Sequence, residues 1–194
     1  MSFINVSNVC KTFGEKKVLD DISFSAENET VAVTGVSGSG KTTLLRIVAG
    51  LETADMGEVQ KEGAIAFAFS EPRLFESISA LENVACIIDA PKIAREQKAA
   101  EILSSLGISG DAMRLRPSEL SAGMAQRVSL ARAVASDREI YLLDEPTSNL
   151  DEETKKAVVA FLREFRRGKT ALVVTHDASV AEALAQKTLI LEKK

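Results

Sequence analysis

The run Gly35-Val36-Ser37-Gly38-Ser39-Gly40-Lys41-Thr42-Thr43 holds the densest chemistry in the chain. It fits G-x-x-x-x-G-K-[ST], the spacing of a loop that wraps a phosphate chain. Glycines let successive backbone N–H groups turn inward as an anion nest, and a following helix adds its positive N-terminal end. Lys41 supplies a full charge for the β- and γ-phosphates, and the Thr42 hydroxyl is a hard oxygen ligand suited to Mg2+. A second reactive pair, Asp144-Glu145, ends the apolar run Ile140-Tyr141-Leu142-Leu143. There Asp144 can hold Mg2+ through water opposite Thr42, and Glu145 can polarise or deprotonate an attacking water. His176, the one histidine, follows Leu172-Val173-Val174-Thr175 and reads on its own as a polar residue at a strand end. These residues predict binding of a nucleoside triphosphate.

The elements that must position them are legible in the hydrophobic spacing. Thr30-Val31-Ala32-Val33 is a buried strand leading into the loop, and Thr42 to Ala49 is a helix that stops at Gly50. Ile4 to Val9 and Lys17 to Phe24 alternate as short strands around a turn at Phe13-Gly14-Glu15-Lys16. Gly57 to Gln60 and Ala64 to Phe69 are two further strands about Gly63. Helical patterns run from Ser79 to Leu106 with a break at Pro91, from Ala122 to Ser136, from Glu152 to Arg167 and from Ala178 to Ala185. Ala171 to Val174 and Thr188 to Leu191 are the closing strands. Strands alternating with helices after the phosphate loop imply an α/β fold with a parallel, covered sheet, and the opening strands imply a small antiparallel layer beside it.

Composition narrows the class. The 194 residues suffice for one domain, or for one with a small inserted subdomain. A net charge of −4 argues against non-specific binding to nucleic acid. No apolar run is long enough to cross a membrane. The expectation is a cytosolic chain with no direct membrane insertion, able to dock on a membrane protein. Cys10 and Cys86 lack metal-ligand spacing and read as reduced packing residues.

The assembled stretches resemble the ATP-binding subunit of an ABC transporter, across essentially the whole chain and in the family's order. Leu120-Ser121-Ala122-Gly123-Met124-Ala125-Gln126-Arg127 resembles the family's signature segment, its most discriminating motif. As bare residues, Ser121 and Gly123 could be only a helix cap and a turn. The resemblance implies more: two subunits pack head to tail, and Ser121 and Gly123 of one contact the γ-phosphate held by the other. It implies ATP and Mg2+ as cofactors, a homodimer or heterodimer of ATPase subunits, and an integral membrane permease as partner. The subunit would then be peripheral on the cytoplasmic face. Phe13 falls where the family stacks an aromatic on adenine, Asp151 in Ser148-Asn149-Leu150-Asp151 matches the loop that communicates across the dimer, and His176 matches the switch histidine that senses the γ-phosphate.

The resemblance also implies a division: a nucleotide-binding core over 1–71 and 137–194, and a helical subdomain over 72–136 that grips the permease. Of its apolar residues such as Leu74, Phe75, Ile78, Leu81 and Val84, some would line that groove, while most read as the ordinary core of these helices. Phe69-Ser70-Glu71-Pro72-Arg73-Leu74-Phe75 is similar to the Q-loop of nitrate-, sulfonate- and taurine-type importers, but Ser70 stands where the family has glutamine. A serine hydroxyl is shorter. Either water bridges it to Mg2+, or metal coordination and coupling are weaker. The alternatives to a transport motor are a non-transport ABC ATPase and a regulatory subunit with weak turnover.

Overall fold

The computed structural model describes residues 2–193. They divide into two compact units. The first contains the chain up to Phe67, Arg138–Glu145, and everything from Arg166 onward; the second contains Ala68–Asp137 and Pro146–Phe165.

In the first unit, the strands β1 (Phe3–Phe13), β2 (Lys16–Glu27), β3 (Thr30–Thr34), β4 (Met56–Glu62), β5 (Ile65–Ala68), β6 (Ile140–Asp144), β7 (Thr170–Val174) and β8 (Lys187–Ile190) form two sheets among the described residues. The antiparallel sheet has the order β2-β1-β4, and the other has the order β5-β6-β7-β3-β8. Alternating polar and apolar residues suit β1 and β2 to a layer with one wet face. They run longer than the sequence pattern suggests, because polar residues at their ends are carried by the ladder. The strands β6 and β7 are buried along their whole length, as unbroken apolar runs in a covered parallel sheet should be. Gly63 divides the two strand segments around it between the sheets, so they do not form a hairpin with each other.

The helices α1 (Lys41–Ala49) and α6 (Ala178–Leu184) pack on the parallel sheet. Gly50 ends α1 by donating its N–H to the Arg46 and Ile47 carbonyls. One core joins Leu44, Leu45 and Val48 of α1 to Val31, Val33, Leu142 and Leu172 of the sheet and to Ile4, Val6 and Leu19 of the antiparallel layer. Register then fixes what the core supports. Val33 pairs with Val174, and Val174 with Asp144, so β3, β7 and β6 release their next residues along one edge. The segment after α1 is stitched back onto β1. The Asp55 N–H donates to the Cys10 carbonyl at 2.9 Å, and its carboxylate accepts from the Thr12 N–H at 2.7 Å.

The second unit packs α2 (Ala80–Ala85), α3 (Lys92–Ser105) and α4 (Ala122–Ala135) against one another and carries α5 (Glu152–Phe165). A complete capping box opens α2: Ser79 accepts from the Glu82 N–H, and Glu82 accepts from Ser79. Val84, Leu103, Val128 and Leu130 are fully buried, whereas Phe75 is more than half exposed. The fully buried Asn83 holds the preceding segment. Its Oδ1 accepts from the Phe75 N–H at 2.8 Å, and its Nδ2 donates to the carbonyls of Phe75, Ile78 and Ser79. Both cysteines are free, but Cys86 is exposed rather than packed.

Two consequences can be measured. Asn83→Ala strands the Phe75 N–H and several carbonyls, so it should cost about 2–3 kcal/mol in denaturant unfolding and speed hydrogen exchange at the Phe75 amide. Hydrogen bonds lower the pKa of Asp55, chiefly the one from the Thr12 N–H, and that of Glu52, chiefly the one from Lys11. Their stabilisation is therefore full above the ordinary carboxylate range and lost as pH falls through the lowered values. The fall in Tm between neutral pH and pH 3 should be smaller in Asp55→Asn than in the unaltered chain.

Candidate functional site

The shared sheet edge gathers most of the residues singled out for chemistry. β3 runs into Gly35, and the phosphate loop ends in α1, whose N-cap is Gly40. Gly40 has φ 96°, and a Cβ there would lie 2.8 Å from the Val18 carbonyl oxygen and from a Leu19 methyl. Neither the dihedral nor the space admits a side chain, which fixes this residue as glycine. Ser37 and Gly38 are exposed at the lip of the loop, while Ser39 is buried and donates its N–H to the Val36 carbonyl. Thr43 is half-buried in the first turn of α1. The Lys41 ammonium lies across the loop, donating to the carbonyls of Gly35 at 2.8 Å and Val36 at 3.0 Å.

Thr42 and Asp144, one on α1 and one at the end of β6, come together. The Thr42 hydroxyl donates to the Asp144 carboxylate, with Oδ2 at 3.0 Å and Oδ1 at 3.3 Å. Asp144 is 1% exposed. A hydroxyl and a buried carboxylate converging beside a phosphate loop form a hard-oxygen donor set that suits Mg2+. One residue on, Glu145 takes φ 49°, a left-handed conformation that is uncommon for a side chain of this size. The sheet holds it there: the Glu145 N–H donates to the Val174 carbonyl at 2.9 Å. Its Oε2 lies 3.0 Å from Nδ1 of His176, which is well exposed. The Asp177 carboxylate caps α6 by accepting from the Ser179 and Val180 N–H groups, which fixes the residue next to the histidine.

Phe13, at the end of β1, is 48% exposed. The Lys11 ammonium sits 5.1 Å from the centre of its ring. Lys11 is itself nearly buried among Glu52, Asp55 and the Thr53 carbonyl. Nothing in the motif spacing marks Lys11; only its place on the alternating strand Val9-Cys10-Lys11-Thr12-Phe13 distinguishes it.

The second unit holds the other predicted residues. Ser121 is the N-cap of α4, its Oγ accepting from the Met124 N–H at 3.2 Å. A Cβ on Gly123 would lie 2.8 Å from the Asn149 carbonyl oxygen, so the start of α4 packs directly on the backbone before Asp151. Asp151 accepts from the Thr154 N–H at 2.9 Å and hydroxyl at 2.7 Å, which lowers its pKa. Arg127 ties the same helix to the end of α3 through the carbonyls of Leu106 and Gly107. Ser70 is exposed in the segment between β5 and α2. Asn83 and Arg132 are features that motif reading misses: Arg132 donates to the Arg73 carbonyl and lies over the Phe75 ring.

Gly40→Ala forces a methyl into the Val18 carbonyl and should weaken nucleotide binding more than about tenfold, as titration calorimetry would detect. Equal affinity in the variant would show that the loop relaxes without cost.

The family profile described as "ABC transporter" matches residues 19–148. The chain is 37% identical to a probable sulfate/thiosulfate import ATP-binding protein of Chlorella vulgaris, over 97% of this chain and 87% of that protein. It is 40% identical to an aliphatic sulfonates import ATP-binding protein of Mycobacterium avium, over 95% of this chain and 76% of that one. It spans only 57% of some longer relatives. Among solved structures, a dimeric post-hydrolysis state of the ATP-binding cassette MJ0796 bound to ADP and Pi superposes with a TM-score of 0.89. That match is 30% identical and covers 98% of this chain and 96% of the other. The parallel sheet with covering helices and its small antiparallel partner is the fold of these cassettes. The chain belongs to the ABC transporter family, as an ATP-binding cassette ATPase.

Proposed function

We propose that the chain is the motor of an importer, working as a head-to-tail pair of cassettes that closes around two ATP and opens after hydrolysis. The observation that carries this is the convergence at one sheet edge of Lys41, of the Thr42–Asp144 pair, and of the Glu145–His176 pair. The loop N–H groups and Lys41 take up negative charge on the phosphoryl group being transferred. For Lys41 this means exchanging the Gly35 and Val36 carbonyls for phosphate oxygens. Thr42 and Asp144 would hold Mg2+, which supplies charge neutralisation when bound. Glu145 accepts the proton of the attacking water, and His176, within hydrogen-bond reach of Glu145, orients that carboxylate and meets the γ-phosphate. Phe13 offers an exposed ring to the adenine.

Ser121 and Gly123 of one copy would complete the site of the other, with Asp151 speaking across the pair. The dimeric state of the MJ0796 cassette supports this arrangement. Among the described residues no helix is long and apolar enough to cross a membrane, and an integral membrane permease would be the partner that provides the passage. The helical second unit, with Phe75 exposed, would grip it, leaving the chain peripheral on the cytoplasmic face. The names of the relatives support import as the direction.

Light scattering of Glu145→Gln tests the pairing. ATP should convert a 20.8 kDa monomer into a species of about twice that mass, and hydrolysis should fall by about a hundredfold or more. A monomer at saturating ATP would refute closure by cassettes alone.

A further inference from the structure

The Lys11 cluster is more than a surface ion pair. The Lys11 ammonium donates to the Thr53 carbonyl at 2.7 Å and to Asp55 Oδ1 at 3.1 Å, and lies 2.9 Å from Glu52. The same Asp55 carboxylate accepts the Thr12 N–H. Three consecutive residues of β1, Cys10, Lys11 and Thr12, are thus fixed by the segment that follows α1. Phe13 is the next residue, at the mouth of the β1–β2 turn, where the ladder ends with its pairing to Lys16. A phenylalanine in such a turn is ordinarily free to choose rotamers. Here one face of its ring is covered by an ammonium that three oxygen partners hold in place.

We infer that Lys11 is a positioning residue for adenine. It occupies one face of Phe13, fixes the ring, and leaves the opposite face as the stacking platform. A cation on one side of a ring also draws electron density toward itself, which strengthens stacking of a neutral base on the other side. Glu52 and Asp55 serve by keeping the ammonium at the ring rather than in water. Because they follow directly on α1, the helix that begins at the phosphate-binding Lys41, one rigid element sets the distance between platform and phosphate loop. The hydrogen bond with Glu52, first among the causes, raises the pKa of Lys11 above the ordinary lysine value, so the cluster favours the cation.

This inference rests on the reading of Phe13 as the adenine contact, and a double-mutant cycle separates the two. Titration calorimetry on the intact chain would compare Mg2+-ATP with Mg2+-tripolyphosphate, which has the phosphates but no base. The proteins are the unaltered chain, Lys11→Met, Phe13→Ala, the double variant and Lys11→Arg. Lys11→Met should weaken ATP binding about three- to tenfold and leave tripolyphosphate unchanged. Phe13→Ala should weaken ATP binding by at least as much, the double variant no further, and Lys11→Arg should restore most of the loss.

If Phe13→Ala leaves ATP binding intact, the adenine reading fails and the inference falls with it. If Phe13→Ala weakens ATP but Lys11→Met does not, the inference alone is overturned. Additive losses, or an equal loss toward tripolyphosphate, would make Lys11 a purely structural tie. Should Lys11→Met fail to fold, Asp55→Asn, which retains the lysine but loosens its hold, takes its place with the same base-dependent readout.

Discussion

The pairing of β3, β7 and β6 in parallel register is the constraint on which the site depends. It is set by apolar residues such as Val31, Leu142 and Leu172 that are buried in one core. Parallel strands end at a common level, and what leaves that level here is a phosphate loop, an acidic pair and a histidine turn. A shift of one residue in any strand would also exchange its buried faces. The same apolar burial that holds the sheet together therefore holds Thr42 against Asp144 and Glu145 against His176.

The backbone of the site is tight in two different ways. At Gly40 the phosphate loop passes so close to β2 that no side chain can enter. At Glu145 a full side chain is kept in a conformation it would not choose, because its N–H completes a bond to Val174. The first is a steric demand met by sequence; the second is a conformational cost of order 1–3 kcal/mol offset by sheet pairing. Gly123 repeats the steric case in the second unit, where the backbone of Asn149 leaves room for hydrogen alone.

Much of this was legible in the residues. The phosphate loop, the strand before it and the helix after it announce themselves by spacing, and Asp144-Glu145 by its place after an apolar run. The signature segment added the family, and the family supplied a role for His176 that a lone histidine does not carry. What spacing did not reveal are contacts between residues distant in sequence. Lys11 reads as one more strand lysine until Glu52 and Asp55 are folded back onto it. Asn83 reads as a polar interruption of a short helix until its four bonds to the segment before it are seen. The fate of the strands on either side of Gly63 was likewise open, since alternation cannot say which of two sheets a strand will join.

That division at Gly63 bears on how the chain comes together during synthesis. The antiparallel sheet needs only strands within residues 3–62, all of which are made before β7 and β8. β3 belongs to the other sheet, and its two neighbours are β7 and β8, separated from it by more than half the chain. Closing so long a loop is slow, so the strand that carries the phosphate loop waits for partners made much later. The segment read first as functional is thus set in place only once β7 and β8 are made, and a nascent chain halted before Thr170 carries the complete motif without the sheet that gives it shape.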